Sequence, residues 1–372
     1  VFALNIGQPP APSWAHEAII YHLMPDRFRP GNGRGWLQTE DLSGICGGTL
    51  LGVIEGLDYI ADLGANCIWI SPPYVTPSWH GYDTADYREI EPRLGDKETV
   101  RRLIDAAHDR GLRVLFDMAC NHVSNHHPIF QAAQADSRSP YRDWFTFDDS
   151  EVGYQGFFGV ASMPEINLTH PDARDWMVEN GLYWVREFDI DGYRLDYASG
   201  CGPDFWTYFV GACKTEKPDT FYMGEITDPP DIMQSYVGRL DGLLDFPINH
   251  ALRQTYAWKT WSEEDLQRFV ARHQQYMPAE FVTPAFIDNH DMNRFHFVTG
   301  GDRSTLLAAL EALVALPNPP VILYGTEVGL SQRQDYAEAK TLDAVREPML
   351  WGDRQDKELL ERTRALLHKR RR

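Results

Sequence analysis

Eight short apolar runs, separated by longer stretches of helical periodicity, constrain this chain more than any other feature. The runs are Ala18 to Leu23, Cys67 to Ser71, Leu112 to Asp117, Ile190 to Asp196, Thr220 to Gly224, Gly242 to Phe246, Val282 to Ile287 and Pro320 to Tyr324. All have the length of strands. Between them, segments such as Leu50 to Leu63, Thr99 to Arg110, Ala173 to Phe188, Glu263 to Gln275, Ser304 to Leu316 and Lys357 to His368 place apolar residues on one helical face. Alternating strands and helices imply parallel strands joined by right-handed crossovers. Eight such units close into a (β/α)8 barrel of the TIM type, the fold class expected here.

One interval breaks the rhythm. From Val123 to Leu168 no clean strand or helix period runs, and aromatics and acids are dense: Tyr141, Trp144, Phe145, Phe147, Asp148, Asp149, Tyr154, Phe157 and Phe158. A structureless loop of that length is improbable in a compact domain, so a small subdomain inserted after the third strand is expected. The expected division is barrel over 1–122, inserted subdomain over 123–168, and barrel again over 169–372. Active sites of this fold lie at the carboxyl ends of the strands, so the insert is placed to wall the cleft.

Charge narrows the partner. A formal net charge of −19 argues against nucleic acid or an anionic membrane as the partner, because phosphate binding needs a basic face, and a neutral substrate fits better. No run of about 18 or more apolar residues appears, as a membrane span would need. The five cysteines lack paired metal-ligand spacing and read as free thiols, with Cys67 and Cys120 in apolar strand-like runs. Val1 rather than Met stands first, which leaves a removed signal peptide open; cytoplasmic and secreted or periplasmic locations are both compatible.

Four segments carry the chemistry: Asp117-Met-Ala-Cys-Asn121-His122, Gly192-Tyr-Arg194-Leu-Asp196, Gly224-Glu225 and Phe286-Ile-Asp-Asn289-His290-Asp291. Each sets a carboxylate at or just past the end of an apolar run, where a parallel barrel gathers its acids. Cleavage of a glycosidic bond requires an acid to protonate the leaving oxygen and a second carboxylate to attack or stabilise the sugar cation. Asp196 and Glu225 are the natural pair. Arg194 and Asp196 share one strand face, so the guanidinium is expected to keep Asp196 ionised, whereas an apolar surround raises Glu225 toward a general acid. Asp291 supplies a third carboxylate for sugar hydroxyls, with His122 and His290 as hydrogen-bond donors to the same sugar. The competing readings are ordinary strand-end ion pairs and a histidine metal site, the latter without HExxH spacing.

At these residues the chain resembles the α-amylase family, glycoside hydrolase family 13. The resemblance runs from Tyr21-His-Leu-Met-Pro-Asp-Arg-Phe28 through Gly47-Gly-Thr-Leu-Leu-Gly52 and the four segments to Tyr324-Gly-Thr-Glu-Val-Gly329 and Met349-Leu-Trp-Gly352. It implies a retaining mechanism with Asp196 as nucleophile, Glu225 as general acid/base and Asp291 as transition-state stabiliser. It also implies that Arg194, His122 and His290 surround the sugar at the cleavage point and that Asp117 braces Arg194. His80-Gly-Tyr82-Asp83 is similar to the segment whose Tyr stacks on that sugar.

The same resemblance shapes the substrate. Met163-Pro-Glu-Ile-Asn167 is similar to the fifth segment of the neopullulanase and cyclomaltodextrinase branch, which implies malto-oligosaccharides, cyclodextrins, pullulan or starch. Tyr197-Ala-Ser-Gly-Cys201 departs from the family patterns on the acceptor side, and Trp79 stands where exo-acting α-glucosidases often have Asp. The branch's amino-terminal β-domain and the usual carboxyl-terminal β-sandwich have no place in these 372 residues, which reads either as an unusually compact enzyme or as a piece trimmed from a longer one. Asn121 matches a calcium-ligand position, and Asp148, Asp149 and Glu151 are spare hard donors; a bound Ca²⁺ and a plain solvated acidic stretch are both open. No other cofactor is implied. Besides hydrolysis, transglycosylation or isomerisation through the same covalent intermediate is an alternative, as is a non-catalytic binding relative, and oligomeric state is left open.

Overall fold

The computed structural model describes residues 10–37 and 39–371. Its main sheet has seven parallel strands: β1 (Ile20–Leu23), β2 (Cys67–Ile70), β3 (Arg113–Ala119), β4 (Gly192–Asp196), β5 (Phe221–Gly224), β6 (Gly242–Leu243) and β7 (Val321–Leu323). They lie in the order β6-β5-β4-β3-β2-β1-β7. Residues 282–285 fill the gap between β6 and β7, with parallel bridges from Val282 to Gly242 and from Ala285 to Pro320. The sheet therefore closes into the expected eight-position barrel. The eighth partner makes no continuous strand because Pro284 has no N–H to donate, although its carbonyl still accepts from Asp245 at 2.8 Å.

Period-two alternation sorts each strand into two layers. On β4, Tyr193 and Leu195 join the apolar layer between sheet and helices. Arg194 and Asp196 then point into the barrel, as successive residues of a strand must face opposite ways. The barrel interior below them is a separate apolar plug that includes Ile20, Cys67, Trp69, Leu115, Phe221, Met223, Val282 and Val321. Each aliphatic side chain fully buried there contributes ~1.5–3 kcal/mol relative to exposure. Gly192 opens β4 for a steric reason: a Cβ there would sit 1.9 Å from the Phe221 carbonyl oxygen, and its φ of 134° disfavours any side chain.

The surrounding helices begin at designed stops. Asp96 caps Lys97–His108 by accepting from Thr99 N at 2.7 Å, and Ser262 with Asp265 forms a capping box at the start of Glu263–Tyr276. None of the described helices is long and apolar enough to cross a membrane. Between β4 and β5 runs Ala198–Glu216, kinked at Gly202. It enters from Tyr197, whose φ of 38° puts a bulky residue in the left-handed region directly after Asp196.

After β3, residues 123–168 pack their aromatic rings on one another and onto the apolar layer of the barrel. The sequence shows no period there, yet Pro128–Ala135 is helical, and isolated antiparallel bridges join Phe147 to Tyr154 and Gly156 to Pro164. Phe130 meets Phe145 and Tyr154 edge-on at 5.0 and 4.8 Å. Clustered rings, rather than regular backbone ladders, hold this insert. All five cysteines are free thiols.

Candidate active site

Strand register gathers the charged residues. Asp117 pairs with Arg194 and Ala119 with Asp196 across β3 and β4, while Leu195 pairs with Gly224 across β4 and β5. Glu225 thus sits one step past the end of β5, level with Asp196. Arg194 Nη1 donates to Asp196 Oδ1 at 2.7 Å and to both carboxylate oxygens of Asp117 at 2.9 Å. Its Nη2 lies 2.6 Å from Glu225 Oε2, an ion pair off the line of its N–H groups. Tyr197 N also donates to Glu225 Oε2 at 3.1 Å, which leaves Oε1 as the oxygen for a proton. Trp69 Nε1 completes the bracing of Asp117 at 2.9 Å.

A second chain of contacts reaches Asp291 from the other side. The Tyr82 hydroxyl donates to Asp117 Oδ2 at 2.9 Å and lies 2.7 Å from His290 Nε2. Its single proton is used at Asp117, so it accepts from His290, whose Nε2 is also 3.0 Å from Asp291 Oδ2. Arg346 holds the other oxygen of Asp291 at 2.6 Å and donates through Nε to the His290 carbonyl at 2.9 Å. One continuous network therefore links Glu225, Arg194, Asp117, Tyr82, His290 and Asp291.

Burial sets the electrostatics. It pushes Asp196 up to about 7, and the charges of Asp117 and Asp291 add to the rise while Arg194 opposes it. Asp117 is raised to about 6 and Glu225 is raised, in both cases by burial against the pull of Arg194. This corrects the expectation that Arg194 keeps Asp196 firmly ionised. One guanidinium is shared among three carboxylates, so it cannot neutralise each, and the cluster retains a proton near neutrality. Asp291 behaves oppositely: burial works against its charge, yet His290 and Arg346 hold its pKa well below the ordinary value.

Asp196, Glu225 and Asp291 open on one cavity of about 510 Å³, lined also by His80, Tyr82, His122, Phe157, Phe158, Met163, Tyr197 and Arg346. Only 8% of Tyr82 is exposed, because its ring stacks on His290 at a centroid distance of 5.3 Å. His80 Nδ1 accepts from Tyr82 N at 3.2 Å, and burial lowers its pKa to about 3. His122, lowered by burial to about 4, is neutral and donates through one nitrogen only. Its Nε2 lies 2.9 Å from the Tyr82 carbonyl and its Nδ1 lies 3.0 Å from the Asn121 side chain. With Nε2 protonated, the Asn121 amide must turn its NH₂ to Nδ1, which also satisfies the otherwise unpartnered Asn121 Nδ2. The sugar-directed N–H groups expected on His122 and His290 are thus used within the protein, because burial makes each imidazole neutral and the nearest acceptors are protein oxygens.

The donor set does not fit the calcium ion considered for Asn121. Asp148, Asp149 and Glu151 are exposed, and among the described residues no three His, Cys, Asp or Glu side chains converge as a metal site.

Sequence reasoning missed Arg346 and Trp69. Arg346 stands outside any motif, and its only signal is its place in the segment after the last barrel strand, where such loops feed the site. Trp69 shares the inward face of β2 with Cys67 and looks like core until its indole N–H is seen on Asp117.

Residues 22–362 match the family model for the alpha-amylase catalytic domain. The chain belongs to the alpha-amylase family. Within that family it is 40% identical over 367 residues to Alpha-amylase 2 of Dictyoglomus thermophilum, covering 98% of this chain and 65% of the relative. A cyclomaltodextrinase of Geobacillus thermopakistaniensis is 33% identical, covering 96% of this chain and 62% of its own length. The chain therefore spans somewhat less than two thirds of these curated relatives. Among solved structures of the alpha-amylase family, the cyclic α-maltosyl-(1→6)-maltose hydrolase of Arthrobacter globiformis superposes with a TM-score of 0.89 at 26% identity, over 97% of this chain and 84% of that one.

Proposed function

We propose that the chain is the catalytic part of a retaining glycoside hydrolase acting on α-1,4-glucosidic bonds of malto-oligosaccharides, cyclodextrins, pullulan or starch. The observation that carries this reading is the bridge made by Arg194 between Asp196 and Glu225 at the edge of the cavity that Asp291 also enters. Two carboxyl groups spanned by one guanidinium fit the about 5–5.5 Å spacing of a retaining pair. Asp196 attacks the anomeric carbon as the bond to the leaving oxygen breaks, and Glu225 delivers its proton to that oxygen. Glu225 then takes a proton from water, which displaces Asp196 and releases the sugar. Asp291, held ionised by His290 and Arg346, stabilises positive charge at the sugar ring and binds its hydroxyls.

The wall beyond Glu225 supports a second outcome for the same intermediate. Phe157 and Phe158 meet Tyr197 at ring distances of 5.0 and 5.3 Å, and Phe158, 76% exposed, stands at the cavity mouth. Aromatic faces there favour a sugar acceptor over water, giving transglycosylation. A product time course on malto-oligosaccharides, cyclodextrin, pullulan and starch, with the anomer followed by NMR, tests both. The reading requires α-anomeric products first, and products longer than the substrate mark transfer. Initial β-anomers, or no cleavage of any of the four substrates, would overturn it.

A further inference from the structure

The loops after β6, after residues 282–285 and after β7 enclose a second cavity of about 540 Å³ that shares no lining residue with the catalytic one. Two rings open to solvent line it: Trp258, 45% exposed, and Tyr336, 37% exposed. His250, Asn293 and Asp335 line the same cavity. Trp258 owes its position to irregular backbone, because Arg253–Ala257 widens into a π turn and Lys259 is left-handed at φ 55°. Such turns are rare and recur at functional sites. The Arg253 guanidinium lies 5.7 Å from the centre of the Trp258 ring and the His250 ring lies 5.5 Å away, so the indole is supported from within the protein.

The chemistry of this lining selects its ligand. Solvated aromatic faces take the C–H surface of a pyranose, while imidazole, amide and carboxylate groups bond its hydroxyls. An anionic ligand would meet Asp335 and the net charge of −19. We propose that this cavity is a second carbohydrate site, holding a stretch of neutral α-glucan outside the cleft. The proposal deepens the glucan reading of the catalytic site and rests on it.

The floor of the second site is the back of the catalytic loop. Arg253 donates to the carbonyls of Ile287 and Asn293 at 3.0 and 3.2 Å, one on either side of Asp291. Asn293 in turn donates to Asp335 Oδ2 at 2.6 Å and accepts from Tyr336 N at 3.1 Å. A glucan bound there lies against the loop that presents Asp291.

The test titrates the Glu225→Gln protein, which binds without turnover, with maltoheptaose and with β-cyclodextrin by calorimetry. Two classes of site are expected, a tighter one in the cleft and a weaker one at Trp258. Adding Trp258→Ala and Tyr336→Ala should weaken the second class by roughly 10-fold or more, the scale expected when aromatic contacts to a ligand are removed, and should keep the first. The retained first class shows that the variant is folded, and Trp258→Phe should keep part of the second. A single class in Glu225→Gln, or two classes undisturbed by the double substitution, would overturn the second site. Absence of all glucan binding together with absence of wild-type hydrolysis would strike the glucan reading itself.

Discussion

Arg194 Nη1 donates to Asp196 Oδ1 at 2.7 Å from two residues away on the same strand, and the same guanidinium reaches Asp117 and Glu225. Its single positive charge therefore serves three buried carboxyl groups. Removing either member of the reacting pair should leave the barrel intact and abolish turnover. Asp196→Asn and Glu225→Gln are each expected to lower kcat by ~10²-fold or more, the scale of acid–base and nucleophilic losses. Retention of more than about a tenth of wild-type kcat by either variant would be too small a loss for those roles.

The raised Asp196 makes a pH prediction with a definite sign. The nucleophile must be ionised, so kcat/KM should fall as pH drops below about 7, well above the range of an ordinary carboxylate. The basic limb reports proton loss from the coupled cluster, and both apparent values belong to the pair rather than to one residue. The negative charge of Asp291 raises both Asp196 and Glu225. Residual activity of Asp291→Asn should accordingly show its acidic limb moved to lower pH. An unmoved or upward-moved limb would contradict this coupling.

Stability should carry the same signature. Because burial raises Asp196 from 3.8 to about 7, the folded state binds a proton that the unfolded chain has lost, and this contribution to stability declines from about pH 4 to about pH 7. At pH 8 the neutral Asp196→Asn protein should melt higher than wild type, by about 2 °C or more, and the difference should vanish at pH 4. Equal melting temperatures at pH 8 would show that Arg194 compensates the charge after all.

Arg346 positions Asp291 without reaching the sugar bond in the proposed chemistry. Arg346→Met should reduce kcat and raise the pKa of Asp291, because one of the two groups that hold its charge is gone. Arg346→Lys should restore the charge but not the paired contact to the His290 carbonyl, giving partial recovery. A loss confined to KM, with an unchanged pH profile, would instead make Arg346 a simple binding group.

A neutral glucan gains little from the field of a protein carrying −19, so KM for malto-oligosaccharides should change less than about twofold between low and physiological ionic strength. Tyr82→Phe should be harmful although the ring is kept, since the hydroxyl links Asp117 to His290. A steep salt dependence of KM, or a Tyr82→Phe protein with wild-type kcat/KM, would remove the physical basis for these two expectations.

Much of the architecture is legible from residues alone. Alternating strand and helix periods imply the barrel, and period two on Gly192-Tyr-Arg194-Leu-Asp196 already turns Arg194 and Asp196 inward, because both patterns are local properties of the backbone. Acids at strand ends converge for the same reason. Three-dimensional packing alone decided which groups share a proton and which are already engaged. Asp196 is raised by burial, with the charges of Asp117 and Asp291 adding to the rise against Arg194, and that depends on β3 and β4 meeting side by side and on the loop that carries Asp291. His122 and His290 turn their N–H groups to Tyr82 and Asp291 because burial keeps them neutral, and Arg346 reaches Asp291 from a segment 55 residues away. Those are long-range electrostatic and hydrogen-bond relations, and nothing in local spacing encodes the distances on which they depend.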